Sequence, residues 1–188
     1  MQKCTLALGC FWKPEENFKN KPGIIETEVG YAGGASPSIT YEEVCTGNTG
    51  HAEVVRLTFD ETKISFKKIL DLFFKMHDPT QKDMQYPDVG TQYRSEIFYE
   101  TDKQKQEASE ILSEFNKKLD GKIQTNISKI KNYCKAEKYH QKYIEKNRSK
   151  IFLNEILLSS NVNLTTSACP ELPVQTASYF TSEFAPPA

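Results

Sequence analysis

The stretch from Glu53 to Met76 constrains the fold most, because its hydrophobic period changes partway along. Between Glu53 and Phe59, the apolar residues Val55, Leu57 and Phe59 fall at alternate positions, the pattern of a half-buried strand. After Ser65, a residue suited to cap a helix, Ile69, Leu70, Leu72, Phe73 and Met76 recur with helical spacing. The run closes at His77-Asp78-Pro79, where proline cannot continue a helix. A one-sided strand followed by a one-sided helix fits a fold of strands and helices layered around one sheet.

The same alternation runs through the chain. Lys3 to Leu8 reads as a strand cut by Gly9, and Trp12 to Asn20 as a helix stopped before Pro22-Gly23. Ile24 to Tyr31 reads as a strand ending in the Gly33-Gly34 turn, and Ile39 to Cys45 as a short helix. Further strands are expected at Arg94 to Glu100 and Ile127 to Tyr133. Helices are expected from Thr101 or Asp102 to Leu119, closed by Asp120-Gly121, and from Glu137 to Asn147. About five strands and five helices in mixed order suggest an α/β or α+β sandwich around one sheet.

Composition narrows the function classes. The 188 residues carry 24 Lys and Arg against 25 Asp and Glu, a net charge of −1, which disfavours a nucleic-acid surface. No segment approaches the ~18 apolar residues of a membrane span. Residues 1–100 hold 11 basic and 15 acidic groups, whereas residues 101–150 hold 13 and 7. Residues 151–188 hold three acids, no base and no glycine, and read as a C-terminal tail after a domain spanning 1–150. The first residues lack a secretory pattern, and five scattered cysteines do not form a disulfide framework, so a cytoplasmic location is expected.

Four segments can carry chemistry. In Gly9-Cys10-Phe11-Trp12 a strand turns into a helix, and a cysteine at a helix N-terminus is expected to favour its thiolate. The alternative is a small buried hydrophobe among core aromatics. Glu53, at the start of its strand, is either solvated at the edge or held inside as a proton donor with a raised pKa. In Asp88 to Ser95, Tyr93 can donate to a developing oxyanion, while Arg94 also fits a structural ion pair. In Ala136 to Gln141, His140 either orients a reacting group or simply packs. His51, His77 and the cysteines form no metal spacing.

Gly9-Cys10-Phe11-Trp12, Gly30-Tyr31-Ala32-Gly33-Gly34, Thr49-Gly50-His51-Ala52-Glu53 and Gly90-Thr91-Gln92-Tyr93-Arg94-Ser95 occur in one order. With Ala136-Glu137 and Tyr139-His140-Gln141, they closely resemble the A-type peptide methionine sulfoxide reductases over roughly residues 3–147. The resemblance implies a two-layer α/β sandwich, α+β in class, built on a mixed sheet with a ferredoxin-like core. It implies Cys10 as the nucleophile, Glu53 as the acid, and Tyr41 and Tyr93 as oxygen-binding phenols. Phe11 and Trp12 match the apolar wall for the substrate's methyl group, and Asp88 and His140 match further pocket residues.

The implied reaction converts methionine-S-sulfoxide, free or in proteins, to methionine and a sulfenic acid on Cys10, without metal or organic cofactor. A second cysteine then forms a disulfide that thioredoxin or glutaredoxin reduces. Cys169 is the tail cysteine expected to resolve it, with Cys134 the alternative, and the family is mostly monomeric. Lys13 stands where relatives usually have glycine, and Lys138 where an acid is usual. Two other classes remain open: a thiol peroxidase on the same scaffold, and a methionine-binding module without turnover.

Overall fold

The computed structural model describes residues 1–150. Met1–Lys146 form one compact unit; the second, Asn147–Ala188, falls among the described residues only at 147–150. The expected tail 151–188, Cys169 included, therefore lies outside the described residues.

The elements follow the succession β1 (Gln2–Leu8), α1 (Trp12–Lys19), β2 (Ile24–Ala32), α2 (Tyr41–Cys45), β3 (Ala52–Phe59) and α3 (Phe66–Met76). A small hairpin of β4 (Met84–Gln85) and β5 (Asp88–Val89) and a 3-10 turn at Thr91–Tyr93 then lead to β6 (Ser95–Tyr99). The long helix α4 (Asp102–Lys118), β7 (Asn126–Lys129) and β8 (Cys134–Lys135) complete it, and residues 143–150 are helical. The main sheet has the order β7-β6-β1-β3-β2-β8. Its four central strands are antiparallel and joined as β1-α1-β2-β3-α3-β6, the βαββαβ pattern of a ferredoxin-like core. The parallel pairing of β7 with β6 makes the sheet mixed.

Strand alternation decides which face each helix covers. Cys4, Leu6 and Leu8 of β1, Val55, Leu57 and Phe59 of β3, and Ile97 of β6 share one cluster with Phe18 and the α3 residues Phe66, Ile69, Leu70, Phe73 and Phe74. Each fully buried large side chain there contributes ~1.5–3 kcal/mol, more than the few tenths that separate their helix propensities. The opposite face is lined by the small residues Ala7, Ala32 and Ala52 with Val54 and Phe98, and Ile130 and Tyr133 cover it.

The caps arise where short polar side chains precede apolar runs. Ser65 Oγ accepts from the Lys68 N–H, and Thr101 Oγ1 from the Gln104 N–H. Thr40 and Glu43 form a reciprocal capping box, so α2 begins at Tyr41 rather than at the expected Ile39.

Two expectations near the C-terminus are corrected. Of the strand expected from Ile127 to Tyr133 only the first residues form β7, and the next strand, β8, begins at Cys134 on the opposite edge of the sheet. After β7 the chain crosses over the alanine-lined face, with Asn132 at φ +47, and β8 then pairs with Gly30 and Tyr31. The helix expected from Glu137 starts only at 143, because the preceding turn gives its polar groups to the sheet and to α1. Gln141 Oε1 accepts from the Val29 N–H at 3.0 Å while its Nε2 donates to the Val29 carbonyl at 2.8 Å. Lys142, at φ +53, donates its N–H to buried Glu15 at 2.7 Å. Among the described residues, no helix is long and apolar enough to cross a membrane.

Candidate active site

Gly9 makes the turn that delivers Cys10 from β1 to the start of α1. Its φ of +86° is accessible to glycine, and a Cβ there would lie 2.9 Å from the side chain of Gln85. The close approach seats the β4–β5 hairpin, with Asp88, against the cysteine turn. Sequence periodicity missed this hairpin, because two-residue strands carry no period.

Glu53 is 2 % exposed at the start of β3, and its Oε2 accepts the main-chain N–H of Phe11 at 3.1 Å. Of the two sequence alternatives, solvated edge or enclosed carboxyl, the second holds. Burial pushes its pKa up to about 8; the Phe11 bond opposes that rise and the Asp88 charge adds to it. Glu53 is therefore protonated at neutral pH.

The expected Cys10 thiolate is corrected. Burial, foremost, and then the Glu53 charge push the thiol well above its ordinary value, and Asp88 pushes the same way. The Trp12 N–H at the helix start favours the thiolate, as sequence reasoning held, but desolvation outweighs it. The resting site thus pairs a neutral thiol with a neutral carboxylic acid.

Two phenols lie within electrostatic reach of Glu53. Burial, the Glu53 charge and the Cys10 charge raise Tyr93, so its hydroxyl stays a donor. Tyr41 is raised by burial and by a hydrogen bond with Cys45, and it too feels Glu53. Asp88 is itself raised by burial.

The aromatic side of the site is built on His140, which is buried in the turn before the final helix. Trp12 Nε1 donates to His140 Nδ1 at 3.1 Å, and Trp12 stacks on Tyr143 with ring centroids 3.8 Å apart. The His140 ring also packs against Phe11 at 5.1 Å and Tyr41 at 4.6 Å. Burial lowers its pKa, which suits an acceptor nitrogen toward Trp12. Sequence reasoning missed Glu137, whose carboxylate accepts from the Tyr31 hydroxyl at 2.9 Å and from the Tyr41 N–H at 2.9 Å. Its place in the motif beside His140 was the available signal.

All eight candidate residues, Cys10, Phe11, Trp12, Tyr41, Glu53, Asp88, Tyr93 and His140, thus belong to one connected neighbourhood. Among the described cysteines, Cys4 is buried in the helix-covered core, Cys45 is exposed, and Cys134 is half-buried and donates to the Ile39 carbonyl at 3.6 Å.

Comparison with known proteins agrees with this arrangement. The family model described as peptide methionine sulfoxide reductase matches residues 2–167. The peptide methionine sulfoxide reductase MsrA of Pelagibacter ubique is 56% identical over 146 residues, covering 78% of this chain and 99% of its own. Reduced Mxr1 from Saccharomyces cerevisiae matches with a TM-score of 0.74 at 40% identity, over 78% of this chain and 86% of that one. Mxr1 in complex with Trx2 matches with a TM-score of 0.54 at 29% identity, over 76% and 84%. The chain belongs to the peptide methionine sulfoxide reductases, oxidoreductases that reduce methionine sulfoxide.

Proposed function

We propose that the chain reduces methionine-S-sulfoxide, free or within proteins, with Cys10 as nucleophile and Glu53 as acid. The observation that carries this reading is the buried Glu53 carboxyl, bonded to the Phe11 N–H one residue beyond the thiol and protonated at neutral pH. Phe11 and Trp12 receive the S-methyl group, while the Tyr41 and Tyr93 hydroxyls and the polar Asp88 side face the sulfoxide oxygen.

The Cys10 sulfur attacks the sulfoxide sulfur as Glu53 gives its proton to the oxygen, where negative charge builds. The thiol proton passes to the carboxylate, restoring the acid. The restored acid protonates the oxygen again and it leaves as water, breaking the S–O bond. A water then attacks the Cys10 sulfur, and the pair of the Cys10–substrate S–S bond returns to the substrate sulfur to give methionine. Cys10 is left as a sulfenic acid as the water's proton is released.

Cys169 then attacks the sulfenic acid, releasing water and forming a disulfide with Cys10; Cys134 is the alternative partner. A thioredoxin-type dithiol, or glutaredoxin, returns both cysteines to thiols by exchange. The Mxr1–Trx2 complex supports the first reductant. We also propose a monomeric protein in a reducing, cytoplasmic setting, where a thiol-based cycle can be recharged.

The test uses the fully reduced protein with methionine-S-sulfoxide and no added reductant. One methionine per chain and a Cys10–Cys169 bond by mass spectrometry are expected. A bond to Cys134 reassigns the resolving step, and a chain that forms no methionine refutes the reading.

A further inference from the structure

Arg94 has no chemical role in the scheme above, yet three of the sequence motifs meet on its guanidinium. Nη1 donates to the Thr91 carbonyl at 2.9 Å and Nη2 to the Gly50 carbonyl at 3.1 Å. Nε is anchored on Glu96 Oε2 at 2.6 Å, and the other oxygen of Glu96 accepts from Ser128 Oγ at 2.6 Å. Thr91 opens the turn that ends at Tyr93, and Gly50 stands three residues before Glu53 in the loop feeding β3. The Thr91 hydroxyl adds a second tie between these segments, to the Gly47 carbonyl at 3.2 Å.

The room for this clamp comes from Gly33. A Cβ there would lie 3.0 Å from Arg94 Nη2 and 2.9 Å from the Phe98 ring, and the backbone sits at φ +87. The Arg94 and Glu96 side chains are only 14% and 8% exposed, so the ion pair that anchors the fork is shielded, while the Thr91 and Gly50 carbonyls it reaches lie at exposed positions. A fork of fixed donors reaching separate carbonyls is a task for arginine, since the lysine ammonium offers a single compact head.

We infer that Arg94 is a positioning residue for sulfoxide reduction, holding the Tyr93 turn and the Glu53 loop in one register through the carbonyls of Thr91 and Gly50. This rests on the roles proposed for Tyr93 and Glu53. Arg94 acts mechanically: its charge is paired with Glu96, and each of its two terminal nitrogens donates to a main-chain oxygen. Loss of the fork lets the phenol and the acid drift relative to each other, which slows the chemical step more than it weakens substrate capture.

The experiment measures kcat and KM for methionine formation, with dithiothreitol as reductant, in the unmodified protein, Arg94→Ala, Arg94→Lys, Tyr93→Phe and the double variants. Arg94→Ala is expected to lose about tenfold or more in kcat with KM changed by less than about threefold. In the Tyr93→Phe background the same change is expected to cost less than about threefold, because the group being positioned is already gone. Arg94→Lys, which keeps the ion pair but not the fork, is expected to fall between, and it carries the cycle if Arg94→Ala does not fold. Unchanged kcat in Arg94→Lys, or losses that multiply fully in the double variants, overturns the role even if the melting temperature falls. Absence of methionine from the unmodified protein overturns the reductase chemistry itself and this role with it.

Discussion

The main-chain N–H of Phe11 donates to Glu53 Oε2 at 3.1 Å, joining the turn that carries the thiol to a strand 42 residues away. The bond fixes where the carboxyl sits without supplying enough stabilisation to keep it ionised. Desolvation wins, and Glu53 is pushed up to about 8. Position and protonation state are thereby set by different parts of the structure.

The first prediction concerns pH. The acid acts while it holds its proton, so single-turnover methionine formation is expected to lose rate as pH rises through about 8. Glu53→Gln is expected to slow the step about a hundredfold and to remove that alkaline decline. Stopped-flow rates between pH 6 and 9.5 (roughly the range spanning this titration) check it; an alkaline limb that survives in Glu53→Gln assigns the decline to another group.

The same shift predicts a stability effect with the same pH direction. A folded pKa raised from 4.5 to about 8 means the folded state holds a proton that the unfolded chain releases between those values. That contribution is full below pH 4.5 and is lost as pH rises through about 8. Glu53→Gln keeps an acceptor for the Phe11 N–H and carries no charge, so it is expected to melt above the unmodified protein at alkaline pH. Calorimetry at pH 8.5 or so gives the answer; a lower melting temperature there contradicts the burial argument.

His77 predicts acid sensitivity. Its Nδ1 donates to the Phe73 carbonyl at 2.8 Å, and its Nε2 accepts from Ser95 Oγ at 2.7 Å, so the ring is held neutral. Burial lowers its pKa from 6.5 to about 4. The unfolded chain therefore binds the extra proton in that window, and stability falls as pH drops through it. About 2 kcal/mol is expected to be lost between roughly pH 7 and pH 5, and urea unfolding of His77→Gln is expected to show a smaller change over the same range.

Trp12 is the sole tryptophan, so intrinsic fluorescence reports on the aromatic wall alone. His140→Phe removes the acceptor of the indole N–H while keeping a ring in place. The emission maximum is expected to move, and KM to rise several-fold with a smaller change in kcat. Unaltered emission assigns the orientation of Trp12 to its stack on Tyr143 instead.

Two glycines separate crowding from backbone strain. A Cβ on Gly34 would fall 2.0 Å from Nδ1 of the buried His51 ring, so Gly34→Ala is expected to cost about 3 kcal/mol or more. Gly50 sits at φ +71 with its nearest neighbour 3.7 Å from the added carbon, so Gly50→Ala is expected to cost about 1 kcal/mol. Urea midpoints of the two variants check the ranking.

Local rules made much of this legible. The strand–turn–helix around Gly9 and Cys10, the caps at Ser65 and Thr101, and the alternation of β3 all lie within a few residues of sequence. The crossing at 130–133 was not legible, because its apolar residues suit a strand equally well and only the alanine-lined face decides. Nor was the charge state of Cys10: the helix terminus that favours a thiolate is local, whereas the desolvation that opposes it comes from distant segments. Glu137 and Arg94 sat inside recognisable motifs, yet their partners lie up to 106 and 44 residues away.

Gln141 meets both polar groups of Val29 with one side-chain amide, standing in for a peptide unit of a neighbouring strand. With β8 paired to Gly30 and Tyr31, three successive residues of β2, Val29 to Tyr31, have their edge-facing main-chain groups engaged. An extended segment laid along β2 therefore meets no open main-chain ladder at Val29 to Tyr31. That stretch of the edge is closed by one amide side chain and a two-residue strand, with no further strand needed to cover it.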